Sequence, residues 1–428
     1  HQEPLQFAFN LLTRSRRVTY SNLKVRDPEF VARVESWFNQ DGPAVPPMFA
    51  PMRLRELVLD NRVMVSPMDM YSSDDGLIGD FHLVHLGSKA LGGAALVMTE
   101  MVCVSREGRI SPGCAGMYLP EHELAFKRLV DFVHAHTPAK IGIQLGHSGR
   151  KGSTRLMWEG MDEPLESGNW DLIAPSPLPY LSMSQVPREM TRADMDEVRD
   201  QFAIATRMAD RAGFDLLELH CAHGYLLASF VSPLTNLRRD EYGGALANRL
   251  RYPLEVLDAI RAEWPVAKPI TVRLSATDWY EGGLTAEESV EMARAFAAHG
   301  VDAIDVSTGQ TIADEKPSFG RSYQTPFSDR IRNRAGVATI AVGAISSYDD
   351  VNTIILAGRA DMCALGRAHL YDPAWTLHAA AEQDVPVPWP VQFQRGSRKP
   401  PSGRTDGPRP RLELIREGAR SRHRRWRA

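Results

Sequence analysis

Residues 269–306 read PITVRLSATDWYEGGLTAEESVEMARAFAAHGVDAIDV, and this stretch decides the architecture. Pro269 to Leu274 is a short, mostly apolar run of strand length. Thr285 to His299 has helical spacing, with Gly300 placed as its C-cap. Asp302 to Val306 is a second strand-like run. A strand, a helix and a strand in succession imply strands that pair in parallel.

The rhythm continues outward in both directions. Upstream, strands are predicted at Val63–Val65, Ala94–Val102, Lys140–Leu145 and Phe214–Leu219, with helices at Phe81–Leu91, Glu121–His136, Asp194–Ala212 and Leu246–Trp264. Thr191 and Asp194 cap the third of these helices, and Gly213 ends it. Downstream, a short helix at Ser328–Arg334 precedes a strand at Ala338–Val342. A helix at Ser347–Leu356 then precedes a strand at Asp361–Leu365, and Pro373–Glu382 is the last helix. Eight such units fit a closed (β/α)8 barrel, an α/β fold of the TIM type, whose active site lies at the strand C-terminal ends. The alternative is an open, doubly wound sheet.

The chain has 428 residues, 43% of them hydrophobic and 24% charged, a composition that supports a large core and excludes wholesale disorder or a collagen-like chain. No apolar run reaches the ~18 residues of a membrane span, and no secretory leader is evident. The four cysteines (Cys103, Cys114, Cys221, Cys363) form no CxxC pair, so a zinc ribbon or cysteine-ligated cluster is not expected. A reduced, cytoplasmic chain is the expectation. Charge is uneven: residues 398–428 carry +8, leaving −11 on the body out of a total of −3. A run of this kind reads as a solvated tail, and no nucleic-acid or membrane partner is expected.

Pro28 to Phe38 is predicted as a helix with Asp27 as N-cap, followed by a linker signature at Asp41-Gly42-Pro43 and Pro46-Pro47. The expected domains are therefore residues 1–45 as an extension, 46–396 as the barrel and 397–428 as the basic tail. Gly146–Arg192 and Gly309–Phe327 are too long for simple connections, and the first is expected to cover the barrel mouth.

Chemistry is sought at the strand ends. Strand one ends in Ser66-Pro67-Met68-Asp69-Met70-Tyr71, which brings Tyr71 to the mouth or is an ordinary turn. Strand three ends at Gln144, whose planar amide suits the edge of a heteroaromatic ring or a satisfied core amide. Strand four ends in His220-Cys221-Ala222-His223-Gly224-Tyr225. The two histidines read as metal ligands if His147 joins them, as paired N–H donors beside a Tyr225 acid, or as structural groups. Arg273 ends strand five and demands an anion. Gly343, Gly366 and Arg367 follow strands seven and eight, where this fold class commonly holds phosphate.

Together these motifs carry a resemblance. They are Pro67-Met68, Gly142-Ile143-Gln144 with His147-Ser148-Gly149-Arg150-Lys151, His220 with His223-Gly224-Tyr225, and Ser232-Pro233-Leu234-Thr235-Asn236. Arg238 with Asp240-Glu241-Tyr242-Gly243-Gly244, Asn248-Arg249, Arg273-Leu274-Ser275 and Gly366-Arg367 complete them. Over about residues 47–396 the chain resembles the Old Yellow Enzyme family of FMN-dependent ene reductases, most closely its bacterial, short-loop branch. The pieces Leu5–Leu12 and Asn22–Pro28 resemble the tail of FAD aromatic hydroxylases. In bifunctional salicylyl-CoA 5-hydroxylases and 2-aminobenzoyl-CoA monooxygenase/reductases such a tail precedes a reductase-like half.

The resemblance implies FMN as cofactor, NAD(P)H as hydride donor, and an activated C=C of a small carbonyl compound or acyl-CoA as acceptor. It implies that Ser66, Pro67, Met68, Asp69 and Met101 line the flavin, Gln144 meets its pyrimidine edge, and Arg273 its N1/O2 side. Gly343, Gly366 and Arg367 would hold the phosphate. His220 and His223 would polarise a substrate oxygen, Tyr225 would supply a proton, and Tyr71 would contact substrate. Arg395 would enter a neighbouring subunit's site, so a dimer or tetramer is expected. Arg150, Lys151 and Arg155 are candidates for meeting CoA phosphates. The alternative is a barrel with little turnover that serves as a dimerisation or CoA-docking module. Two positions depart from the branch: Asp69 stands where Cys is frequent, and Met101 where a small residue is usual.

Overall fold

The computed structural model describes residues 19–397. Eight parallel strands close into a barrel: β1 (Val63–Val65), β2 (Leu96–Cys103), β3 (Lys140–Gly146), β4 (Leu216–Cys221), β5 (Ile270–Ser275), β6 (Ala303–Ser307), β7 (Ala338–Ala341) and β8 (Met362–Leu365). Cys363–Leu365 pair with Val63–Val65 to close the ring, which excludes the open sheet. The helices that follow them are α1 (Asp80–Leu91), α2 (Pro120–His136), α3 (Arg192–Ala212), α4 (Leu246–Glu263), α5 (Ala286–Ala298), α6 (Thr325–Ala335), α7 (Tyr348–Leu356) and α8 (Trp375–Glu382).

Local chemistry explains the boundaries. Every residue of β2, β4 and β5 is buried, as expected of parallel strands covered on both faces. The Thr191–Asp194 capping box starts α3, and Gly213, at φ +95°, ends it in the left-handed region that glycine adopts without a Cβ clash. Asp27 caps the N-terminal helix Pro28–Phe38, accepting from the Phe30 N–H at 2.9 Å.

One irregularity positions the site. Along the β2–β3 pair Met98 faces Gly142 but Met101 faces Gln144, so β2 bulges at Thr99 and Glu100. The Thr99 hydroxyl accepts from the Gln144 N–H at 3.1 Å and replaces the lost ladder bond.

The opposite end of the barrel is closed by an antiparallel hairpin, Met52–Leu54 with Leu57–Leu59, that the sequence reading did not contain. Leu54 and Leu59 join Met64, Leu96, Met98, Leu216, Ile340 and Met362 in an apolar plug. Arg55 clamps the hairpin to Asp302 at 2.7 Å. The helices Tyr20–Arg26 and Pro28–Phe38 lie outside the barrel, with the N–H groups of Tyr20 and Ser21 bonded to Thr353 and Asp349 on α7. The piece Leu5–Leu12 and the tail from Arg398 onward lie outside the described residues.

Candidate active site

A cavity of about 1170 Å³ opens at the C-terminal ends of the strands, and the barrel strands or the turns that follow them reach it. Ser66, Pro67, Met68 and Asp69 come from the turn after β1, Met101 from the β2 bulge and Gln144 from β3. His220, His223 and Tyr225 come from β4 and its turn, Arg273 from β5, Gly343 from the turn after β7, and Gly366 with Arg367 from the turn after β8. The structure thus brings together all three expected catalytic residues and all ten expected cofactor residues.

Arg273 is buried and lies 3.5 Å from the Asp305 carboxylate, an ion-pair distance without hydrogen-bond geometry. It also donates to the Ser66 hydroxyl at 3.3 Å, while its Nε and both Asp305 oxygens have no hydrogen-bond partner. Below it, Glu218 accepts from the Gln144 amide at 2.8 Å and from Thr271 at 2.9 Å. Burial, and then Asp305, push the Glu218 carboxyl up to about 8, and burial also raises Asp305; Arg273 opposes both shifts. One guanidinium therefore serves two buried acids that hold their protons more tightly than usual.

The residues fit FMN on structural grounds. The unpartnered Arg273 Nε is a buried donor waiting for an acceptor. Gln144 retains its carbonyl oxygen and a second N–H after bonding Glu218, enough for a heteroaromatic edge. Gly343 sits at φ +105°, and an added Cβ would fall 2.5 Å from Gln324 Nε2, so only glycine leaves this turn open. Arg367 is exposed at the rim, available to an anion.

The histidine pair is held by backbone contortion. His223 has φ +61°, rare for a non-glycine residue, and its N–H is anchored to the Ser275 hydroxyl at 3.0 Å. Gly224 follows at φ +70°, where a Cβ would meet Gln310 O at 2.7 Å. His220 Nε2 and His223 Nδ1 come within 3.3 Å of one another, and the Tyr225 ring centre lies 5.0 Å from that of His220. Burial, and then the Arg273 charge, lower both histidines well below the ordinary imidazole range, so both are neutral at physiological pH. Burial raises Tyr225 well above the phenol range, so it keeps its proton. The arrangement gathers two neutral imidazoles and a protonated phenol around one point.

A metal reading of the histidines fails on geometry. His147 accepts from the Gly149 N–H at 3.0 Å and does not line the cavity. Among the described residues no group of three His, Cys, Asp or Glu side chains could hold a metal ion.

Other expectations need correction. Arg150, Lys151 and Arg155 are not free to meet CoA phosphates. Arg150 is buried and donates to the carbonyls of Leu178, Pro179 and Thr311; Lys151 is buried and donates to those of His223 and Gln310; Arg155 pairs with Glu163 and Glu166. Burial lowers Lys151 to about 8, which fits an internal strut under Tyr225 and Tyr180. Tyr71, at φ +49°, does not line the main cavity; it packs beside Tyr225 and borders a second cavity of about 600 Å³. The long segment after β3 walls that second cavity and does not cover the main mouth. Arg395 lies exposed on the turn Val391–Gly396 and does not line its own chain's cavity.

Four contributors were missed: Ser307 at the end of β6, Gln324 and Tyr323 in the segment before α6, and the Glu218 acid beneath the cavity. Length alone signalled that the segment after β6 mattered, and the strand-end rule could have found Ser307.

Comparison with known proteins agrees with this geometry. The model of the NADH:flavin oxidoreductase / NADH oxidase family matches residues 47–385. The chain is 39% identical over 353 residues to an NADPH dehydrogenase of Geobacillus sp. (strain WCH70), covering 82% of this chain and 98% of that protein. It is 40% identical over 350 residues to an NADPH dehydrogenase of Listeria monocytogenes serotype 4a (strain HCC23), covering 81% and 98%. Among solved structures, histamine dehydrogenase from Rhizobium sp. 4-9 superposes with a TM-score of 0.66 at 26% identity, over 77% of this chain and 47% of that one. A 2-naphthoyl-CoA reductase complex superposes at 0.70 and 24% identity, over 79% and 52%, a likeness of fold. The chain belongs to the NADH:flavin oxidoreductase / NADH oxidase family, and is an FMN-dependent NAD(P)H oxidoreductase of the Old Yellow Enzyme type.

Proposed function

We propose that the protein reduces the activated C=C of a small α,β-unsaturated carbonyl compound. The observation that carries this reading is the convergence of His220 Nε2 and His223 Nδ1 on one point beside the Tyr225 phenol. Arg273, Gln144, Ser66 and the Gly343 and Gly366–Arg367 turns would hold FMN, whose chemistry when bound is hydride transfer from NAD(P)H. The protein does the rest. Two N–H donors hold the carbonyl oxygen and stabilise the negative charge that grows there when hydride reaches the β-carbon. Tyr225, kept protonated by burial, delivers the proton to the neighbouring carbon. Tyr323 and Gln324 line one wall of the cavity.

Several finer readings rest on the resemblance. Arg395, exposed on its turn, would reach the cavity of a second copy in a dimer or tetramer. Residues 1–45 would be the tail of an FAD hydroxylase, which the reading frame upstream of His1 tests. The acyl-CoA acceptor loses the basic residues first offered for it, so a small carbonyl substrate is the reading retained. A reduced cytoplasmic setting suits four buried, unpaired cysteines. Among the described residues no helix is long and apolar enough to cross a membrane.

The deciding experiment is anaerobic. The purified protein should release FMN on denaturation, lose its flavin absorbance with NADPH or NADH, and regain it on adding 2-cyclohexen-1-one. Bleaching without reoxidation by the enone would remove the C=C reading. No bleaching with either donor would favour the docking-module alternative.

A further inference from the structure

The hydrogen bonds behind the histidine pair assign the protons on both rings. His220 Nδ1 accepts from the Ala222 N–H at 3.2 Å, so neutral His220 carries its proton on Nε2. That proton points at His223 Nδ1, 3.3 Å away, which must then accept. Neutral His223 consequently carries its proton on Nε2 and donates it to the Ser307 hydroxyl at 2.8 Å. Ser307 has its own hydrogen left to donate, and Gln324 Oε1 lies 3.4 Å away. Each link is directional, and in this state the pair has a single N–H at the substrate point, already engaged by His223 Nδ1.

Binding a carbonyl oxygen through both rings needs the other arrangement, with the proton of His223 on Nδ1. Nε2 then becomes an acceptor in a buried place, and it needs a donor. Ser307 is the hydroxyl within reach, and it can rotate from Gln324 to His223. The bond it gives up is long and weak at 3.4 Å, and Gln324 Oε1 keeps a donor in the Thr308 hydroxyl at 2.6 Å. Gln324 itself stays fixed because its side-chain N–H donates to the Val342 carbonyl at 3.1 Å. No charge changes: one proton leaves His223 Nε2, one arrives at Nδ1, and one hydroxyl turns.

We propose that Ser307 is the positioning residue that sets which nitrogen of His223 carries its proton, and that the Thr308–Gln324 contact makes the setting reversible. The proposal rests on the carbonyl-reduction reading above. It explains why a hydroxyl stands at the end of β6 behind the pair, and why Gln324 has two hydroxyl donors where one would satisfy it.

The test uses oxidised, FMN-loaded protein with 15N-labelled histidine and no NAD(P)H, so that ligand binds without turnover. Without ligand, His223 should show Nε2 protonated. Saturation with 2-cyclohexen-1-one should move that proton to Nδ1 while His220 is unchanged. Ser307→Ala should leave the ligand-bound tautomer mixed and weaken cyclohexenone binding about tenfold, and Ser307→Thr should restore both. Thr308→Val, which does not touch the histidines, should hold Ser307 on Gln324 and weaken binding a few-fold in the same direction. A free protein with His223 protonated on Nδ1, or a complete proton shift in Ser307→Ala, overturns the proposal. If cyclohexenone does not bind wild-type protein at all, the carbonyl reading falls and the switch with it, while the ligand-free spectrum separately reports the Ser307 contact.

Discussion

The two ends of one barrel are built on opposite principles. At the closed end, Leu54, Leu59, Met64, Leu96, Met98, Leu216, Ile340 and Met362 fill the interior with apolar volume, and the hairpin seals it. At the open end the same strands present Gln144, Glu218, Arg273, Asp305 and His220, with orphaned polar atoms and non-glycine residues at positive φ. The first arrangement is dominated by apolar packing, with the Thr339 hydroxyl as a buried polar atom without a partner among the described residues. The second carries several unpartnered polar atoms and strained residues, and these coincide with the groups proposed above to hold cofactor and substrate. Stability and chemistry are therefore divided along the strand axis, within strands three to eight residues long.

That division can be broken from the closed end first. Leu59 is fully buried against the plug. Leu59→Ala should cost about 3 kcal/mol by urea unfolding, from lost transfer energy and a residual cavity. The kcat/KM for enone reduction should change less than twofold. A large catalytic defect would mean that the plug transmits strain to the mouth and that the division fails.

The open end should answer in reverse. His220→Ala removes one N–H donor from the substrate point and should lower kcat/KM about 100-fold, or about 2.7 kcal/mol of transition-state stabilisation. The melting temperature should fall by no more than about 2 °C, since His220 borders a cavity and its main backbone link is the Ala222 N–H. Unfolding of the variant would show that the pair is a structural clamp.

The division also sets what was legible in the sequence. The strands and helices could be read because parallel barrel strands are buried on both faces and appear as unbroken apolar runs, such as Leu216–Leu219. His220, Arg273 and Gln144 could be read because a polar residue ending such a run is conspicuous. The hairpin at residues 52–59 was hidden because its three-residue strands stand outside the strand–helix rhythm that made the equally short β1 legible. Ser307 was overlooked although it ends β6, and Gln324 was hidden because glutamine is common in loops and only the fold puts it behind Ser307. Arg150 and Lys151 misled for a related reason: charge suggests a surface, yet their carbonyl partners come from segments 28 to 161 residues away and from no local pattern. Tyr71 was placed by its distance from β1, but a left-handed residue turns it toward the neighbouring cavity.

The smallest expected effect concerns Asp69, where the open end departs furthest from a stable design. One oxygen accepts from the Met101 N–H at 3.1 Å, and the residue lines the cavity. Burial, and then the nearby Glu100 carboxylate, push it up to about 7, while Met101, Arg273 and Lys151 pull the other way. Without FMN, the folded state then holds a proton that the unfolded chain has lost, between the ordinary carboxylate range near 4 and about 7. Stability of the flavin-free protein should accordingly fall as pH rises through that window, because the folded state binds more protons there. With FMN bound, the neutral acid below pH 7 should favour reduction and the carboxylate above it should oppose the added negative charge. The rate of anaerobic reduction by NADPH should drop less than tenfold between about pH 6 and 8, with an inflection that Asp69→Asn removes. Asp69→Asn should also flatten the stability slope of the flavin-free protein over the same range. An inflection that survives in Asp69→Asn would assign the titration to another group at the mouth, and a flat wild-type profile would mean that Arg273 and Lys151 outweigh burial and keep Asp69 ionised throughout.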